Sequence, residues 1–377
     1  MRFVMAPDSF KESMSAAAAA AALTDGVRQA IPDAVCVEKP MSDGGEGMTA
    51  VLLSATGGQL ASAAARNALG EPVTSHFGLT GDGPAGRGVA VIEAASVIGL
   101  ELIRPGQRDI MRSNSAGLGD LMGAASRLGA TKVLIGLGGT ATCDGGAGLL
   151  TALGARLYDA TGALVEPLPG LLHLVKRVDL SQIRPLPTVQ AACDVTNRLL
   201  GPDGAAAVFA PQKGATASQV KALEAGLRQF AAALETVTGR GIRDIPGTGA
   251  AGGIGAALAA LGVELCPGAK LVADVIGLGR AVTGADWVVT GEGSVDGQTL
   301  AGKAPAVVAA IASGRGVGCV AFAGRTGPGA SRLVGSVFRE LIQITPPDQD
   351  QATALETGPA NLRTAAAAWA GRLATRA

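Results

Sequence analysis

Six loops of this chain, four of which contain glycines, carry the charged side chains that could do chemistry. They are Ala6–Lys11 (APDSFK), Ser42–Gly47 (SDGGEG), Gly136–Gly148 (GLGGTATCDGGAG), Ala192–Asn197 (ACDVTN), Ala210–Gly214 (APQKG) and Thr290–Lys303 (TGEGSVDGQTLAGK). Because glycine has no Cβ atom, such loops let backbone N–H groups approach an anion closely. A lysine neutralises phosphate, and a carboxylate holds a metal ion or accepts a proton. The combination predicts phosphoryl transfer.

The first loop joins a short apolar run to a predicted helix, and it carries Ser9 and Lys11. The N-terminus of a helix binds anions, so both side chains are candidates for contact with a phosphate or a carboxylate. Capping of the helix by Asp8 or Ser9 is the structural alternative. Capping does not account for Lys11, because a cation opposes the helix dipole there unless an anion is bound. The loop therefore indicates an anion site.

The second loop places two carboxylates around a glycine pair. Asp43 and Glu46 enclose Gly44 and Gly45 at a predicted strand–helix junction. The carboxylates could bind Mg²⁺ or act as a base, and the glycine N–H groups could contact an anion. The alternative is an ordinary turn followed by an acidic residue in the first turn of a helix. We favour the functional interpretation, with Asp43 as a metal ligand or base.

The third loop supports a rival function. Gly136, Gly138 and Ala141 have the spacing of a dinucleotide-binding fingerprint, and Asp159 lies near the offset expected of a ribose-binding acid. These residues would suit a nicotinamide-dependent oxidoreductase of a small hydroxy acid. In a phosphotransferase, the N–H groups of Gly138 and Gly139 would instead contact an anion. The spacing alone leaves both functions open.

Two further loops contribute Asp194, Asn197 and Lys213. Asp194 follows a predicted strand and is the first candidate for a metal ligand, or for the base that takes the proton of an attacking hydroxyl. Asn197 could be a ligand or only the first residue of an Asx turn. Lys213 could equally be a ligand or a solvated lysine of a turn.

The last loop brings Glu292, Asp296 and Lys303 into one segment. Residues 297–303 nearly match a phosphate-binding P-loop, but Ala304 stands where a serine or threonine would hold Mg²⁺. A Walker-type nucleotidase is therefore not expected. A glycine–lysine pair that opens a helix can still bind a phosphate, so Lys303 stays a candidate.

Composition limits the class of protein. With 377 residues, two domains are expected. The 31 basic and 31 acidic residues cancel, which argues against nucleic acid as a partner. No apolar run is long enough for a membrane span, and no signal peptide is evident, so a cytoplasmic protein is expected. Five scattered cysteines and two separated histidines predict reduced thiols and no zinc site.

The pattern of apolar runs predicts an α/β protein. Both chain ends alternate strand, loop and helix, which is typical of a parallel sheet, whereas short alternating stretches between residues 59 and 93 predict antiparallel strands. We predict a doubly wound, mostly parallel domain of flavodoxin or Rossmann type from residues 1–58 and 266–377. Residues 59–265 would form an inserted mixed α/β domain. The active site would lie in the cleft between the two domains.

In their order along the chain, these loops resemble those of the type I glycerate kinases of bacteria. Further resembling segments are VIEAASVIGL at 91–100, GAAGGIGA at 249–256, and the continuation of the fourth and fifth loops through residues 192–215. The resemblance implies ATP-dependent phosphorylation of D-glycerate with Mg²⁺, most often giving 2-phosphoglycerate. It also implies two α/β domains. A non-catalytic protein that binds a small anion is the remaining alternative, and a homodimer is a possible assembly.

On this hypothesis the candidate residues fall into three sets. The catalytic candidates are Asp194, Lys11, Asp43 and Glu292. The metal candidates are Asp194 and Asp43. The candidates for contact with glycerate or nucleotide are Ser9, Gly44, Gly45, Glu46, Gly138, Gly139, Asn197, Lys213, Asp296 and Lys303.

Overall fold

The structure is a computed structural model, and it describes residues 1–81, 88–297, 299 and 302–375. The chain folds into two compact units. The first comprises residues 1–43, 50–55 and 269–377, and the second comprises residues 44–49 and 56–268. The Ser42–Gly47 loop thus contributes residues to each of them. The domain boundaries drawn from the sequence, and the active site placed between the domains, stay predictions.

Strands and helices alternate along most of the chain. The strands are β1 (Arg2–Met5), β2 (Val35–Glu38), β3 (Gln59–Arg66), β4 (Pro72–Leu79), β5 (Val89–Glu93), β6 (Lys132–Gly136), β7 (Arg156–Tyr158), β8 (Arg177–Asp179), β9 (Thr188–Ala192), β10 (Glu264–Cys266), β11 (Trp287–Val295), β12 (Gly318–Thr326) and β13 (Glu340–Gln343). The helices are α1 (Ala16–Ala30), α2 (Met48–Thr56), α3 (Ala95–Ile98), α4 (Ala116–Arg127), α5 (Ala147–Ala152), α6 (Ala205–Phe209), α7 (Ala217–Thr238), α8 (Ala250–Ala260), α9 (Gly268–Val275), α10 (Leu278–Val282), α11 (Ala304–Ser313), α12 (Gln351–Glu356) and α13 (Gly358–Ala374).

The first unit is built on a five-stranded sheet in the order β2–β1–β11–β12–β13. Every neighbouring pair is parallel. Counted within this unit, the order is the 2-1-3-4-5 of flavodoxin-like folds. It confirms the predicted doubly wound sheet made from both chain ends. The chain leaves β1 toward one edge of the sheet and leaves β11 toward the other, so a topological switch point lies between these two strands.

The core of the first unit explains why β1 is apolar throughout. Phe3 and Met5 belong to a buried cluster with residues of α1 and α13, while Val4 is buried on the opposite face. Trp369 of α13 is fully buried and meets the ring of Phe3 edge-on at 6.0 Å between centroids. A strand that is covered on both faces has a continuously apolar sequence, which is typical of the centre of a parallel sheet.

The second unit contains a six-stranded sheet in the order β10–β9–β6–β5–β4–β3 and a separate β7–β8 hairpin. The four strands from β10 to β5 are parallel, whereas β5, β4 and β3 pair antiparallel. The antiparallel strands predicted between residues 59 and 93 are therefore confirmed. The unit has the mixed α/β character that the sequence predicts.

Two helix starts have particular local geometry. α1 begins at Ala16, because Phe10 and Met14 form a tight bridged turn and the Ser15 hydroxyl then caps the helix. α8 becomes regular only after Gly253, because Ala251 to Gly253 have left-handed backbone angles. Among the described residues, no helix is both long and apolar enough to cross a membrane. The five cysteines all lie within the described residues, and none of them forms a disulfide bond.

Candidate active site

A cavity of about 580 Å³ lies within the first unit, where the chain continues beyond the carboxyl ends of β1, β11, β12 and β13. Ligands of open α/β sheets bind beyond these ends, at the switch point. Loops from both ends of the chain therefore meet here because of the strand order. The charged residues that line the cavity include Asp8, Lys11, Asp43, Glu292, Lys303 and Arg325.

Asp8 lies directly at the switch point. The backbone N–H of Asp8 donates to the carbonyl of Gly291 at 2.8 Å, which extends the pairing of β1 with β11. The Asp8 carboxylate accepts from the N–H of Ser9 at 2.6 Å. Burial, and then the neighbouring carboxylates of Asp43 and Glu292, raise the pKa of Asp8 to about 8. The sequence suggested only a helix cap for Asp8, although its position directly after a buried strand was a usable signal.

Glu292 is held by two partners within the cavity wall. Its Oε1 accepts from the Thr299 hydroxyl at 3.0 Å, and its Oε2 lies 3.4 Å from Lys303 Nζ. Burial raises the pKa of Glu292, and the charge of Lys303 opposes that rise. Lys303 is the residue before α11, so its charge stands at the helix N-terminus as expected from the sequence. Gln298, Leu300 and Ala301 of the P-loop-like segment lie outside the described residues.

Lys11 and Ser9 line the same cavity, on the turn between β1 and α1. Glu12, also in the lining, has a φ of 66°, in the left-handed region that non-glycine residues rarely adopt. Such a conformation persists only where the surrounding structure imposes it. Here it lets the chain fold back so that Phe10 bridges Met14, with the exposed Lys11 at the tip of the turn.

Arg325 is a cavity residue that the sequence did not indicate. It lies in the last residues of β12, in register with Ser294 of β11, and both residues line the cavity. It lies in the segment Gly324–Gly329 (GRTGPG), a charged glycine-rich stretch after an apolar run, so a signal of the kind that marked other loops was present and was not used. The pairing of β11 with β12 then places it beside Ser294. Asp296, in contrast, belongs to the following turn, where its N–H donates to the Thr299 hydroxyl at 3.2 Å.

Within the second unit, the glycine loops pack against each other. Gly44 has a φ of +90°, and a Cβ added there would lie 2.6 Å from the Ala192 Cβ and 2.8 Å from the Gly268 Cα. A Cβ on Gly138 would lie 3.5 Å from the Gly45 Cα. Gly44, Gly45 and Gly138 therefore belong to one assembly of backbone at the carboxyl ends of β6 and β9. Gly139, with a φ of +71°, continues the same loop.

Glu93 is a second residue that the sequence did not indicate. Its carboxylate accepts from the N–H of Thr49 at 2.7 Å and from that of Gly47 at 3.4 Å, at the start of α2. A carboxylate there satisfies N–H groups that lack partners within the helix. Glu93 thus anchors the loop that carries Gly44 and Gly45. Glu46 of that loop is exposed.

The remaining candidates of the second unit have hydrogen-bond partners within that unit. The Asp194 carboxylate accepts from the N–H of Gly268 at 2.9 Å, and the Asn197 amide donates to the carbonyl of Asp203 at 2.8 Å. Asn197 therefore closes its own loop. Asp159 accepts from Thr161 and Ala163 within an exposed turn. Between β6 and α5 the chain runs from Leu137 to Gly146 without a helix, which is longer than the tight turn of a dinucleotide fingerprint.

Lys213 is buried, with only 5% of its surface exposed, so it is not a solvated lysine of a turn. Its Nζ donates to the carbonyl of Thr142 at 2.7 Å and to the Thr140 hydroxyl at 3.3 Å. These contacts fasten the loop that begins with Gly136. Burial lowers the pKa of Lys213 to about 8, and nearby Cys143 and Asp144 oppose that fall. Whether Lys213 also contacts a ligand stays a prediction.

The depressed pKa of Lys213 predicts a pH dependence of stability. Between pH 8 and the ordinary lysine pKa, the folded chain has lost a proton that the unfolded chain still holds, so stability rises with pH. From pH 7 to pH 9 the contribution is about 1.4 kcal/mol. Urea unfolding of the wild type and of Lys213→Met is measured at pH 7, 8 and 9, and the stability difference between them should shift by this amount in favour of the wild type. The opposing effect of Asp8, whose pKa is raised to about 8, is common to both proteins and cancels in the difference. Parallel curves would contradict the prediction.

The pH range of the unfolding comparison ends at pH 9 because the Cys143 thiol also affects stability above that pH. Burial raises the pKa of Cys143 to about 12, so above pH 9 the unfolded chain loses a thiol proton that the folded chain keeps. That difference lowers stability as pH rises and would oppose the lysine effect. The comparison with Lys213→Met between pH 7 and pH 9 avoids most of this opposing contribution.

The carboxylates of the cavity fit a magnesium ion of the kind that accompanies a nucleotide. Asp43 and Glu292 are near enough to raise the pKa of Asp8, which indicates negative charge that a cation would offset. Among the residues that the structure describes, no three carboxylate, histidine or cysteine side chains form a complete metal cage. Mg²⁺ needs none, since it keeps several waters and takes one or two protein carboxylates beside substrate phosphates.

The first unit is a doubly wound sheet with lysines and carboxylates at its switch point. The second unit packs glycine loops together. Together these features define a phosphotransferase of α/β class. Residues 3–374 match the model of the glycerate kinase family. The chain belongs to the glycerate kinase family. The resemblance found in the sequence is thereby confirmed.

Individual relatives agree with this assignment. The chain is 40% identical to a glycerate kinase of Bacillus subtilis (strain 168), over 92% of this chain and 91% of the relative. It is 42% identical to a glycerate 2-kinase of Escherichia coli (strain K12), over 83% of this chain and 82% of the relative. A crystal structure assigned as glycerate kinase 2 from Salmonella typhimurium LT2 superposes with a TM-score of 0.88 at 37% identity, covering 100% of this chain and 99% of that one.

Proposed function

We propose that this chain transfers the γ-phosphoryl group of ATP to the C2 hydroxyl of D-glycerate and forms 2-phosphoglycerate. The observation that carries the proposal is the cavity of the first unit, which combines lysines with carboxylates at the switch point of the sheet. Phosphoryl transfer needs little else from a protein than positioning, neutralised charge and a base near the attacking hydroxyl. The relatives in the glycerate kinase family support glycerate as the acceptor.

Glu292 is the base that we propose for the acceptor hydroxyl. Its carboxylate is buried and fixed by Thr299 and Lys303, so its orientation is set before a substrate arrives. Burial also raises its pKa, which makes the ionised form a stronger proton acceptor. Asp194, the first candidate for the base from the sequence, stays a prediction. Its carboxylate belongs to the second unit, where it accepts a hydrogen bond from the N–H of Gly268.

Lys11 and Lys303 are the residues that we propose to neutralise phosphate. Lys303 stands at the N-terminus of α11, where the helix dipole adds to its charge, and Lys11 faces the same cavity from the turn after β1. Asp43, together with Asp8, would hold a magnesium ion, which when bound supplies charge neutralisation for ATP phosphates. The N–H groups of Gly44, Gly45, Gly138 and Gly139 are further candidates for anion contacts.

The test is the product itself. Purified protein is incubated with ATP, Mg²⁺ and D-glycerate, ADP release is followed, and the product is assigned by phosphorus NMR. A phosphorus signal coupled to one proton is expected, because the C2 oxygen is bonded to a carbon that carries one hydrogen. Coupling to two protons would place the phosphate on the C3 oxygen and overturn the regiochemistry. ADP release that does not depend on glycerate would overturn the acceptor.

A further inference from the structure

We propose that Arg325 and Ser294 together recognise the carboxylate of the acceptor substrate, which makes the site selective for a hydroxy acid over an uncharged polyol. This inference rests on the proposed function and adds the residues that determine its specificity. The carboxylate is the group that distinguishes glycerate from glycerol, so the site needs a donor set that is aimed at it.

Arg325 and Ser294 lie side by side in the sheet. Arg325 of β12 is the parallel partner of Ser294 of β11, so their Cα atoms are neighbours across the two strands. Paired residues project to the same face and lie about 4.8 Å apart. Both line the cavity, and Glu292, two residues before Ser294, projects to the same face of β11. A guanidinium, a hydroxyl and the proposed base thus share one wall.

The guanidinium of Arg325 is uncommitted. Within residues 1–81, 88–297, 299 and 302–375, its side chain has no hydrogen bond or ion pair, whereas Lys303 lies 3.4 Å from Glu292. A guanidinium presents its N–H donors as a planar fork that matches both oxygens of a carboxylate, which an ammonium cannot do. Of the cations in the lining, Arg325 is therefore the one suited to a bidentate carboxylate contact.

The charge of the lining also calls for a cation beside the acceptor. The carboxylates of Glu12, Asp43 and Glu292 would repel an anionic acceptor. A carboxylate can enter only beside a cation that offsets this repulsion. The cations among the described lining residues are Lys11, Lys303 and Arg325. Lys11 and Lys303 are the residues proposed above to neutralise phosphate, and so Arg325 is left for the carboxylate.

The experiment compares Arg325→Met, Arg325→Lys and Ser294→Ala with the wild type and with Arg332→Met. Arg332 is an exposed arginine of the same unit outside the cavity lining, so its variant controls for loss of one positive charge. Initial rates are measured against D-glycerate at saturating ATP, and against ATP at saturating D-glycerate. Turnover of glycerol is measured in parallel, and circular dichroism checks that each variant is folded.

Arg325→Met is expected to lower kcat/KM for D-glycerate about 10- to 100-fold, mainly through KM, because a charged hydrogen-bonded contact is lost. KM for ATP, and any turnover of glycerol, should change less than about 2-fold, on the additivity expected of independent contacts. The kcat/KM of Arg325→Lys for D-glycerate should lie between those of the wild type and Arg325→Met. Ser294→Ala should lower the same quantity by a smaller factor. Arg332→Met should match the wild type.

Several results would overturn the inference without touching the proposed function, which the wild-type rate alone tests. One is an unchanged KM for D-glycerate in Arg325→Met. Another is a rise confined to KM for ATP, which would place Arg325 on a phosphate. A third is a larger loss of glycerate affinity in Lys11→Met than in Arg325→Met, which would give the carboxylate to Lys11.

Discussion

Replacing Glu292 with glutamine will lower kcat by about 10²- to 10⁴-fold, the range expected for loss of a general base. Glutamine has nearly the same shape, and its amide oxygen can still accept from the Thr299 hydroxyl or from Lys303. What disappears is the ability to take a proton from the acceptor hydroxyl. KM for D-glycerate and for ATP should change far less than kcat, because the packing of the cavity wall is preserved.

The matched control for this variant is Glu340→Gln. Glu340 lies in the same unit and pairs with Arg372 at 2.8 Å on the surface, outside the cavity lining. The control loses the same carboxylate charge, and its rate should equal that of the wild type. Initial rates at saturating substrates over pH 6–9 provide the measurement. If Glu292→Gln retained most of the wild-type kcat, Glu292 would not be the base, and Asp194 or Asp43 would take its place.

Replacing Gly44 with alanine will destabilise the second unit far more than the same change at Gly47. Both glycines have left-handed φ values, +90° and +86°. Each alanine therefore costs about 1–2 kcal/mol in backbone conformation. A Cβ at Gly44 would also lie 2.6 Å from Ala192 and 2.8 Å from Gly268, whereas a Cβ at Gly47 has nothing within 4 Å. Overpacking of that kind adds about 1–3 kcal/mol.

The two glycine variants form a pair in which each controls the other. Urea unfolding, followed by circular dichroism and by hydrogen exchange of amides in the second unit, will give the loss of stability for each. We expect the midpoint of Gly44→Ala to fall clearly below that of Gly47→Ala. Equal midpoints would mean that the close approach of Gly44 to Ala192 does not restrict the backbone. The comparison separates conformational strain from lack of space, which a single variant cannot do.

The parts of the fold that depend on local pattern could be predicted from the sequence. The apolar run of β1 and the alternation in β3 and β4 each arise from the side chains of a single segment. The doubly wound sheet followed from strand–loop–helix alternation at both chain ends. Glu292 and Lys303 could be found as candidates because glycines mark their loop.

Other parts depend on contacts between distant segments and could not be predicted. The glycines around Arg325 mark a loop, but its position beside Ser294 depends on the register of β12 on β11, which the local segment does not encode. The burial of Lys213 depends on the packing of its turn against Thr140 and Thr142. From the sequence, Asp8 is only a candidate helix cap, because its raised pKa depends on burial and on the approach of Asp43 and Glu292 from elsewhere in the chain.

Strands β1 and β11 pair at the centre of the first unit, but the ribosome synthesises them at different times. The Thr290 hydroxyl of β11 donates to the carbonyl of Ala6, 284 positions earlier in the chain. At ribosomal rates of about 5–20 residues per second, β1 waits roughly 15–60 s for this partner. The strands of the second unit are complete by Cys266, before β11 has been synthesised. The nascent chain must therefore keep the apolar side chains of β1 from aggregating while the inserted unit folds, and the unit made from the two chain ends closes last.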